Sequence, residues 1–172
     1  MQTLLKLTAP GVPDIYQGNE LWDFSLVDPD NRRPVDFKAC QRMLADARTV
    51  TAAQAWKRPD EGLPKLWLTR QVLALRARRP ELFDRRGSYT PLYARGPKAK
   101  QVIAFMRGDF AITIVPRLLL KLQNDWADTR LDLPRGGWVN ELAGGNTVEN
   151  PASLAAILEQ FPVALLVRKE NR

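Results

Sequence analysis

Residues 10–37 read PGVPDIYQGNELWDFSLVDPDNRRPVDF, and this stretch decides how the chain is interpreted. A short apolar run, Val12 to Tyr16, is bounded by turn-forming Pro and Gly, which predicts a short strand. The polar segment 19–33 after it has about the length above which an irregular loop is usually functional. Pro34-Val35-Asp36 then predicts a helix with Asp36 as its N-cap. The stretch therefore predicts one strand–loop–helix step of an α/β protein, without a sheet of its own.

The flanking residues extend this prediction in both directions. Residues 2–7 are typical of a helix end that is stopped by Ala9-Pro10-Gly11. After Asp36, apolar residues recur at helical spacing up to about Val50, so one face of this helix is predicted to be buried. These apolar residues are Phe37, Cys40, Leu44 and Ala47.

Two further regions follow. Residues 51–64 are similar to a linker, and Lys65 to Arg79 is predicted to form a second helix. After Gly87, short β-rich segments alternate with turns, and Gly108-Asp109 is typical of a two-residue hairpin. The predicted strands are Ser88 to Ala94, Gln101 to Arg107, Phe110 to Val115, Thr129 to Leu133, Trp138 to Leu142, Val163 to Val167 and a shorter one near Ser153 to Ile157. The expected fold is α+β, with the strand–loop–helix step at 1–50, a linker and helical segment at 51–86 and a C-terminal antiparallel β-sandwich at 87–172.

The composition limits the chemistry and the location of the chain. It has no histidine, which excludes Ser-His and Cys-His nucleophilic pairs and His-assisted zinc sites. We therefore expect neither a metal nor another cofactor. The single cysteine, Cys40, excludes an internal disulfide and favours a reducing compartment. Without a typical signal peptide, or the roughly 18 apolar residues that a membrane span needs, we expect a cytoplasmic protein with no membrane partner.

The net charge of +7 is unevenly distributed along the chain. Residues 1–60 are neutral, whereas residues 61–172 carry 18 basic and 11 acidic side chains. A nucleic-acid footprint is one interpretation of such an excess. The sequence carries no nucleic-acid-binding motif, however, so we favour a solvated face or a surface that docks onto an acidic neighbouring domain. We expect no nucleic-acid partner.

Polar and aromatic residues are concentrated around the 19–33 segment. They are Asp14, Tyr16, Gln17, Asn19, Glu20, Trp22, Asp23, Asp28, Asp30, Asn31, Arg32 and Arg33. Planar polar groups bind pairs of sugar hydroxyls, and aromatic faces pack on the apolar face of a pyranose. The alternative is a surface loop shaped by turn residues and by Asp–Arg pairs, with Trp22 used for packing. From composition alone, both interpretations stay open.

The stretch from Pro10 to Phe37 also resembles the eighth strand and following loop of the barrel in glycoside hydrolase family 13, the α-amylase superfamily. That region typically reads P-G-x-P-x-I-Y-x-G-x-E, with D-P-x-N-R-x-P after it. Further blocks are similar to the maltooligosyl trehalose synthase family. These are ELWDFSLVDPDNRRPVDF, KLWLTRQVLALRARRPELF at 65–83, VIAF at 102–105, IVPRL at 114–118 and FPVALL at 161–166. The resemblance covers nearly the whole chain.

The resemblance implies an enzyme that rearranges the reducing-end α-1,4 linkage of a malto-oligosaccharide into an α,α-1,1 linkage by a retaining mechanism. The catalytic carboxylates of that family belong to the fourth, fifth and seventh barrel strands, and no residue of this chain matches them. The resemblance therefore implies that this C-terminal part has no catalytic residue and is inactive without an upstream catalytic barrel.

By the same resemblance, residues 16–33 form one wall of a malto-oligosaccharide site when the barrel is present. Asp28 and Arg32 match positions that contact donor-side sugars in related enzymes. The other expected binding residues are Asn31, Arg33, Tyr16, Gln17 and Glu20. Arg33 either shares the role of Arg32 or braces the loop, and a structural role for Glu20 is at least as well supported as sugar contact.

Three functions are therefore compared. The favoured one is a portion of an intramolecular transglycosylase, the second is a non-catalytic malto-oligosaccharide-binding or accessory domain, and the third is a basic nucleic-acid-binding protein. A lone barrel strand cannot satisfy its backbone groups without neighbours. We therefore expect residues 1–35 to be partly disordered, folded against the β domain, or paired with another copy of the chain through the orphan strand.

Overall fold

Helices and one long irregular segment make up the first half of the chain in the computed structural model, which describes residues 1–123 and 125–169. The helices are α1 (Gln2–Thr8), α2 (Phe37–Thr49), α3 (Ala52–Trp56) and α4 (Leu63–Arg78). The predicted N-cap of α2 is confirmed, because Oδ1 of Asp36 accepts a hydrogen bond of 2.9 Å from the backbone N–H of Ala39.

The strand predicted over Val12 to Tyr16 is wrong. Residues 9–36 contain neither an α-helix nor a strand, and their only helical turn is a short 3-10 turn at Asp30–Arg32. A strand needs a neighbour to satisfy its backbone groups, and neither sheet formed by residues 1–123 and 125–169 includes this segment. The residues expected to form a strand of a barrel are therefore an irregular segment in this structure.

Short strands dominate the second half, as predicted. They are β1 (Tyr89–Leu92), β2 (Ala94–Arg95), β3 (Val102–Arg107), β4 (Ala111–Pro116), β5 (Arg130–Leu131), β6 (Trp138–Asn140), β7 (Asn146–Val148), β8 (Ala152–Ser153) and β9 (Ala164–Arg168). Six of them form a sheet in the order β1-β3-β4-β9-β6-β7, and β2-β5-β8 form a smaller sheet. All neighbouring strands are antiparallel. The antiparallel prediction is confirmed.

The large sheet is the middle layer of the molecule, and its central strands β4 and β9 are buried on both faces. Alternate residues of β4 and β9 belong to two different hydrophobic clusters, as the two-residue period of a strand requires. Ala111, Val115 and Leu165 pack towards α1 and α4, whereas Ile112 and Ile114 pack towards the smaller sheet. A two-sheet sandwich is thus too narrow a description, because helices cover one face of the large sheet.

The hairpin between β3 and β4 is one residue longer than predicted. Arg107 pairs with Ala111, so Gly108, Asp109 and Phe110 form a three-residue loop. Gly108 adopts a φ of 54°, which glycine reaches without steric cost. The glycine signal located the turn correctly, although it did not determine the length of the loop.

Two short helices, α3 and α6 (Leu154–Ile157), lie where the sequence predicted a linker and a strand. At α3, Thr51 accepts from the N–H of Gln54, and the Gln54 side chain accepts from the N–H of Thr51. The sequence pattern T-x-x-Q predicts this capping box. At α6, Ser153 is both the last residue of β8 and the N-cap of the helix, so the predicted strand is mostly helical. A further short helix, α5, spans Leu119–Leu122.

The end of α1 is held by two arginines from distant parts of the chain. Arg76 of α4 donates to the carbonyl of Leu7 at 2.8 Å, and Arg107 of β3 donates to the carbonyl of Thr8 at 3.0 Å. Arg107 is only 2% exposed. Since the last carbonyls of a helix have no partner within the helix, positive donors at this end satisfy them and complement the helix dipole. Residues 2–8 are therefore fixed against both α4 and the large sheet.

Candidate functional site

The predicted sugar-binding residues lie on the irregular segment between α1 and α2, largely in contact with solvent. Exposed positions are occupied by Tyr16, Gln17, Asp28, Asn31, Arg32 and Arg33, and Glu20 is half-buried. The segment is not an open strand end of a barrel but a folded loop. Its conformation depends on local ion pairs and on contacts with the start of α4.

Asp28 and Arg32 form a bidentate ion pair. Nε of Arg32 donates to Oδ1 of Asp28, and Nη2 donates to Oδ2. Both side chains are more than half exposed. Two parallel charge-assisted hydrogen bonds fix the plane of the guanidinium relative to the carboxylate. The pair therefore presents donors and acceptors to solvent in a defined arrangement.

Arg33 and Asp30 form a second ion pair on the same 3-10 turn. Oδ2 of Asp30 also accepts the backbone N–H of Leu26 at 2.7 Å, and the N–H of Asp30 donates to the carbonyl of Val27 at 3.0 Å. Of the two roles considered for Arg33, these contacts support bracing of the loop. Asp30 was not among the expected binding residues, and its role here is to close the turn that carries Asp28 and Arg32.

Glu20 is directed inward, and one of its carboxylate oxygens is buried. Its Oε2 atom is buried and has no hydrogen-bond partner within the described residues. The nearby charges include the Lys65 ammonium, and Glu20 contributes to raising the pKa of the Cys40 thiol, although burial of that thiol is the larger cause. The expected pairing of this Oε2 with an arginine of the loop or with a backbone N–H is therefore not observed.

The loop is attached to the beginning of α4 through Trp22 and Lys65. Nε1 of Trp22 donates to the carbonyl of Pro59 at 2.6 Å, and Nζ of Lys65 donates to the carbonyl of Leu21 at 2.8 Å. The ammonium also lies 5.6 Å from the centroid of the Trp22 ring. Burial lowers the pKa of Lys65, with a further contribution from the positive charge of Lys6.

A glycine permits this attachment. Gly62 precedes α4 with a φ of 76°, and a Cβ at this position would lie 3.1 Å from the backbone N of Trp22. A larger residue would be strained in this left-handed conformation and would push the loop away. The close approach of Gly62 to Trp22 therefore determines where the loop sits on the helical layer.

Asp23 stabilises the middle of the loop. Its Oδ1 accepts from the hydroxyl of Ser25 at 2.6 Å and from the N–H of Ser25 at 2.9 Å, and its Oδ2 accepts from the amide of Asn19 at 3.1 Å. The hydroxyl of Ser25 is the main reason why the pKa of Asp23 lies below its ordinary value of 3.8. The carboxylate is thus used for local structure, a role that composition alone did not distinguish from sugar binding.

The same loop exposes several large apolar side chains. The exposed fractions are 96% for Val12, 87% for Phe24, 76% for Leu26 and 83% for Val27. Single exposed apolar residues are ordinary, but four of them within sixteen residues of one loop are typical of a surface that contacts another body. The loop therefore combines a polar, ion-paired part with an apolar part.

Residues 1–123 and 125–169 contain neither a membrane-spanning helix nor a cluster of metal ligands. No helix there is long and apolar enough to cross a membrane. No group of three or more His, Cys, Asp or Glu side chains there is arranged to hold a metal ion.

No family model matches the chain. It is 44% identical over 166 residues to two Mycobacterium tuberculosis proteins, from strains CDC 1551 / Oshkosh and ATCC 25618 / H37Rv, that bear the provisional name maltooligosyl trehalose synthase. The alignment covers 96% of this chain and 20% of each relative.

Solved structures show the same relationship. The structure of maltooligosyltrehalose synthase from Arthrobacter ramosus matches with a TM-score of 0.82 and 42% identity, over 97% of this chain and 21% of that one. Another maltooligosyl trehalose synthase structure matches with a TM-score of 0.74 and 27% identity, over 98% of this chain and 21% of that one. The chain therefore belongs with the maltooligosyl trehalose synthases, and it spans about one fifth of the length of the relatives that it matches.

Proposed function

We propose that the chain is the C-terminal portion of an enzyme that converts the reducing-end α-1,4 linkage of malto-oligosaccharides into an α,α-1,1 linkage. The observation that carries this proposal is the identity of 42–44% over at least 96% of the chain with maltooligosyl trehalose synthases. The proposed enzyme is a cytoplasmic isomerase of glycoside hydrolase family 13 and acts in trehalose biosynthesis.

In this proposal the chain positions the substrate and does not break bonds. A retaining mechanism needs one carboxylate as nucleophile and a second as acid and base, and the upstream barrel supplies both. The anomeric hydroxyl of the released glucose then attacks the glycosyl-enzyme in place of water. The chain contributes the 16–33 loop as one wall of the sugar site.

The Asp28–Arg32 pair is the part of this wall best suited to hold a sugar. A guanidinium has five N–H donors, and the ion pair uses two of them, so the others are available to hydroxyl oxygens. The carboxylate oxygens have further lone pairs for hydroxyl hydrogens. Because the two groups are already held together, a pair of vicinal hydroxyls would meet donors and acceptors without reordering the loop.

The apolar part of the loop supports contact with the upstream barrel. Phe24, Leu26 and Val27 are mostly exposed beside the ion pairs. A domain that covers these side chains would remove apolar surface from water. This burial stabilises the contact by roughly 25 cal/mol for each Å². We propose that the barrel is this domain, and that neither nucleic acid nor a membrane is a partner.

Exchange of the matching segment tests the proposal. In the synthase from Arthrobacter ramosus, the fifth of the chain that matches would be replaced by these 172 residues. We expect the chimera to form a trehalosyl product from maltopentaose, and the 172-residue chain alone to form none. A trehalosyl product from the chain alone, or a folded but inactive chimera, would contradict the proposal.

Substitutions within the chimera test the role of the loop. Arg32→Lys removes the bidentate geometry and retains the charge. We expect kcat/KM for maltopentaose to fall about 10–100-fold, as the loss of a charge-assisted hydrogen bond of roughly 1.5–3 kcal/mol implies. The matched control is Arg48→Lys, in the last turn of α2, which should leave kcat/KM unchanged. If the two substitutions had equal effects, the Asp28–Arg32 pair would not be part of the sugar-binding site.

A second candidate function is that of a non-catalytic malto-oligosaccharide-binding domain. It is favoured by the observation that Asp28 and Arg32 are exposed and already paired without the barrel. It predicts saturable binding of malto-oligosaccharide by the 172-residue chain, lost on Asp28→Ala. No binding by the chain, together with an active chimera, would leave the enzyme portion as the function.

A further inference from the structure

A large cavity lies between the helical half of the chain and the β-rich half. Its volume is about 750 Å³, within the roughly 300–1,000 Å³ of small-molecule sites. Three of the five tryptophans of the chain line it, namely Trp22, Trp56 and Trp126, together with Phe161. We call it the Trp cavity. None of the seven residues predicted to bind sugar lines it.

The aromatic rings of the Trp cavity are held in place. Trp56 packs edge-on against Phe161, with 5.8 Å between the ring centroids and an interplanar angle of 68°. Phe161 is in turn packed against the buried Trp67 at 5.3 Å. Trp22 is fixed by its hydrogen bond to Pro59, and Trp126 is only 8% exposed. Rings that are already ordered can contact a ligand without a large loss of side-chain entropy.

Two of these rings are fixed in place and are also about half exposed, which leaves part of each ring accessible to a ligand. Trp22 is 46% exposed and Trp56 is 48% exposed, although both have fixed packing partners. By contrast, Trp67 and Trp138 are 3% and 1% exposed and belong to the core. Tryptophans with a fixed ring and half of their surface in contact with solvent are typical of binding sites, in which the ring supplies a flat apolar face.

The polar groups of the Trp cavity favour a neutral ligand rich in hydroxyls. Lys65 and Glu159 line it and carry opposite charges. Nζ of Lys65 uses one of its three donors for the carbonyl of Leu21, which leaves two for a ligand. The Glu159 residue is exposed and offers only acceptors. A donor and an acceptor beside flat aromatic faces match a pyranose, which has hydroxyls around its rim and C–H groups on its faces.

We propose that the Trp cavity is a second binding site, for the glucose units of an α-1,4-linked chain. The ligand class rests on the proposed function, whereas the existence of the site rests on the cavity, the fixed rings and the Lys65 and Glu159 groups. The site and the 16–33 loop share Trp22. One malto-oligosaccharide bound in the Trp cavity would therefore lie next to the loop that carries Asp28 and Arg32.

Maltoheptaose binding to the 172-residue chain tests this proposal. The indole N–H signals of the five tryptophans would be followed by NMR during a titration. We expect the signals of Trp22, Trp56 and Trp126 to shift in a saturable manner, and those of Trp67 and Trp138 to stay unchanged. The same titration with cellohexaose, a β-1,4-linked chain, should give at least tenfold weaker binding. Equal binding of both sugars, or no shift at the cavity tryptophans, would overturn the proposal.

Substitutions locate the binding within the Trp cavity. Trp56→Ala should weaken maltoheptaose binding at least tenfold, and Tyr93→Ala, which removes another exposed aromatic residue that does not line the cavity, should have no effect. Because Trp56 also packs on Phe161, Glu159→Ala is a second variant at an exposed position that the fold tolerates, and a loss of about threefold or more is expected. Unchanged affinity in both variants would overturn the proposal.

The experiments distinguish failure of the proposed site in the Trp cavity from failure of the proposed function. Maltoheptaose binding in the Trp cavity together with an inactive chimera would support the site and contradict the enzyme portion. An active chimera whose activity is lost on Trp56→Ala, while the chain shows no maltoheptaose binding, would mean that a polypeptide segment fills the Trp cavity. That result would overturn the sugar site and leave the proposed function in place.

Discussion

The loop at residues 9–36 and the central strands β3, β4 and β9 are stabilised by different kinds of interaction. Every residue of β4 is buried, and its alternate side chains belong to the two main clusters of the protein. In the loop, large apolar residues such as Phe24 and Val27 are mostly exposed, and short-range ion pairs and the Trp22–Pro59 hydrogen bond determine the conformation. The part of the chain with the most specific family resemblance is therefore the part that contributes least to its core.

This difference has a physical reason. A strand in the middle of a sheet gains its stability from burial on both faces and from two neighbours, all of which lie within the described chain. A loop that lines a binding site must keep polar groups and apolar faces available for a ligand or another domain. Substitutions can test how far the two regions differ.

The largest expected difference is between a core leucine and a loop leucine. Leu165 in β9 is fully buried, and Leu165→Ala should lower the free energy of unfolding by about 2–5 kcal/mol. Leu26 in the loop is 76% exposed, and Leu26→Ala should change it by less than about 0.5 kcal/mol. Chemical denaturation of both variants provides the measurement. A loss of more than about 2 kcal/mol for Leu26→Ala would mean that the loop is part of the core.

A smaller loss of stability is expected at the contact between the end of α1 and the large sheet. Arg107→Met removes the donors to Thr8 and to Gly87 from a position that is 2% exposed. We expect unfolding to become easier by about 1–3 kcal/mol and amide exchange in α1 to become faster. Arg117→Met, which removes an exposed arginine that donates to Lys100, is the control and should cost less than about 0.5 kcal/mol. Unchanged exchange in α1 would contradict this role of Arg107.

A still smaller effect is expected at the boundary between the loop and α2. Asp36→Ala removes the N-cap and should destabilise the chain by about 1 kcal/mol, whereas Asp36→Ser retains a capping oxygen and should be nearly neutral. Thermal unfolding followed by circular dichroism measures both. If the two variants are equally stable, the cap is not what determines the start of α2.

The smallest effect concerns the pH dependence within the loop. Hydrogen bonds from Ser25 lower the pKa of Asp23 in the folded chain, so its contribution to stability is complete above the ordinary value of 3.8 and is lost as the pH falls through the lowered value. The amide signal of Ser25 should therefore titrate below pH 3.8. In Asp23→Asn this titration should be absent, and titration of the wild-type signal above pH 3.8 would be evidence against the hydrogen bonds.

Local signals in the sequence predicted much of the fold. The Asp36 cap, the helix that became α4 and the β3–β4 hairpin depend on residues close to one another in the chain, and all three are present. The capping box of Thr51 and Gln54 was equally local, and with it α3 was predictable. The strand that was wrongly predicted at Val12 to Tyr16 shows where local signals fail. A strand depends on neighbouring strands, and a short apolar run does not specify them.

The candidate site was predictable only in part. The residue types and the D-P-x-N-R resemblance pointed to Asp28 and Arg32, and the structure pairs them. The inward position of Glu20 and the bracing role of Asp30 depend on how the loop folds back, which residue types do not determine. The Trp cavity was not predictable either, since its rings come from residues 22, 56 and 126, which only the tertiary fold brings together.

The arginine contacts at the end of α1 have a consequence for the order in which the chain is made. The donor to Thr8 lies 99 residues later, and the donor to Leu7 lies 69 residues later. At roughly 5–20 residues per second, a ribosome needs about 5–20 s to reach Arg107 after it has completed α1. Until Arg76 and Arg107 have been made, the carbonyls of Leu7 and Thr8 lack these donors. Helix α1 is thus secured by Arg107 only after β3 has been made, and a pause before residue 107 would prolong the exposure of its last carbonyl.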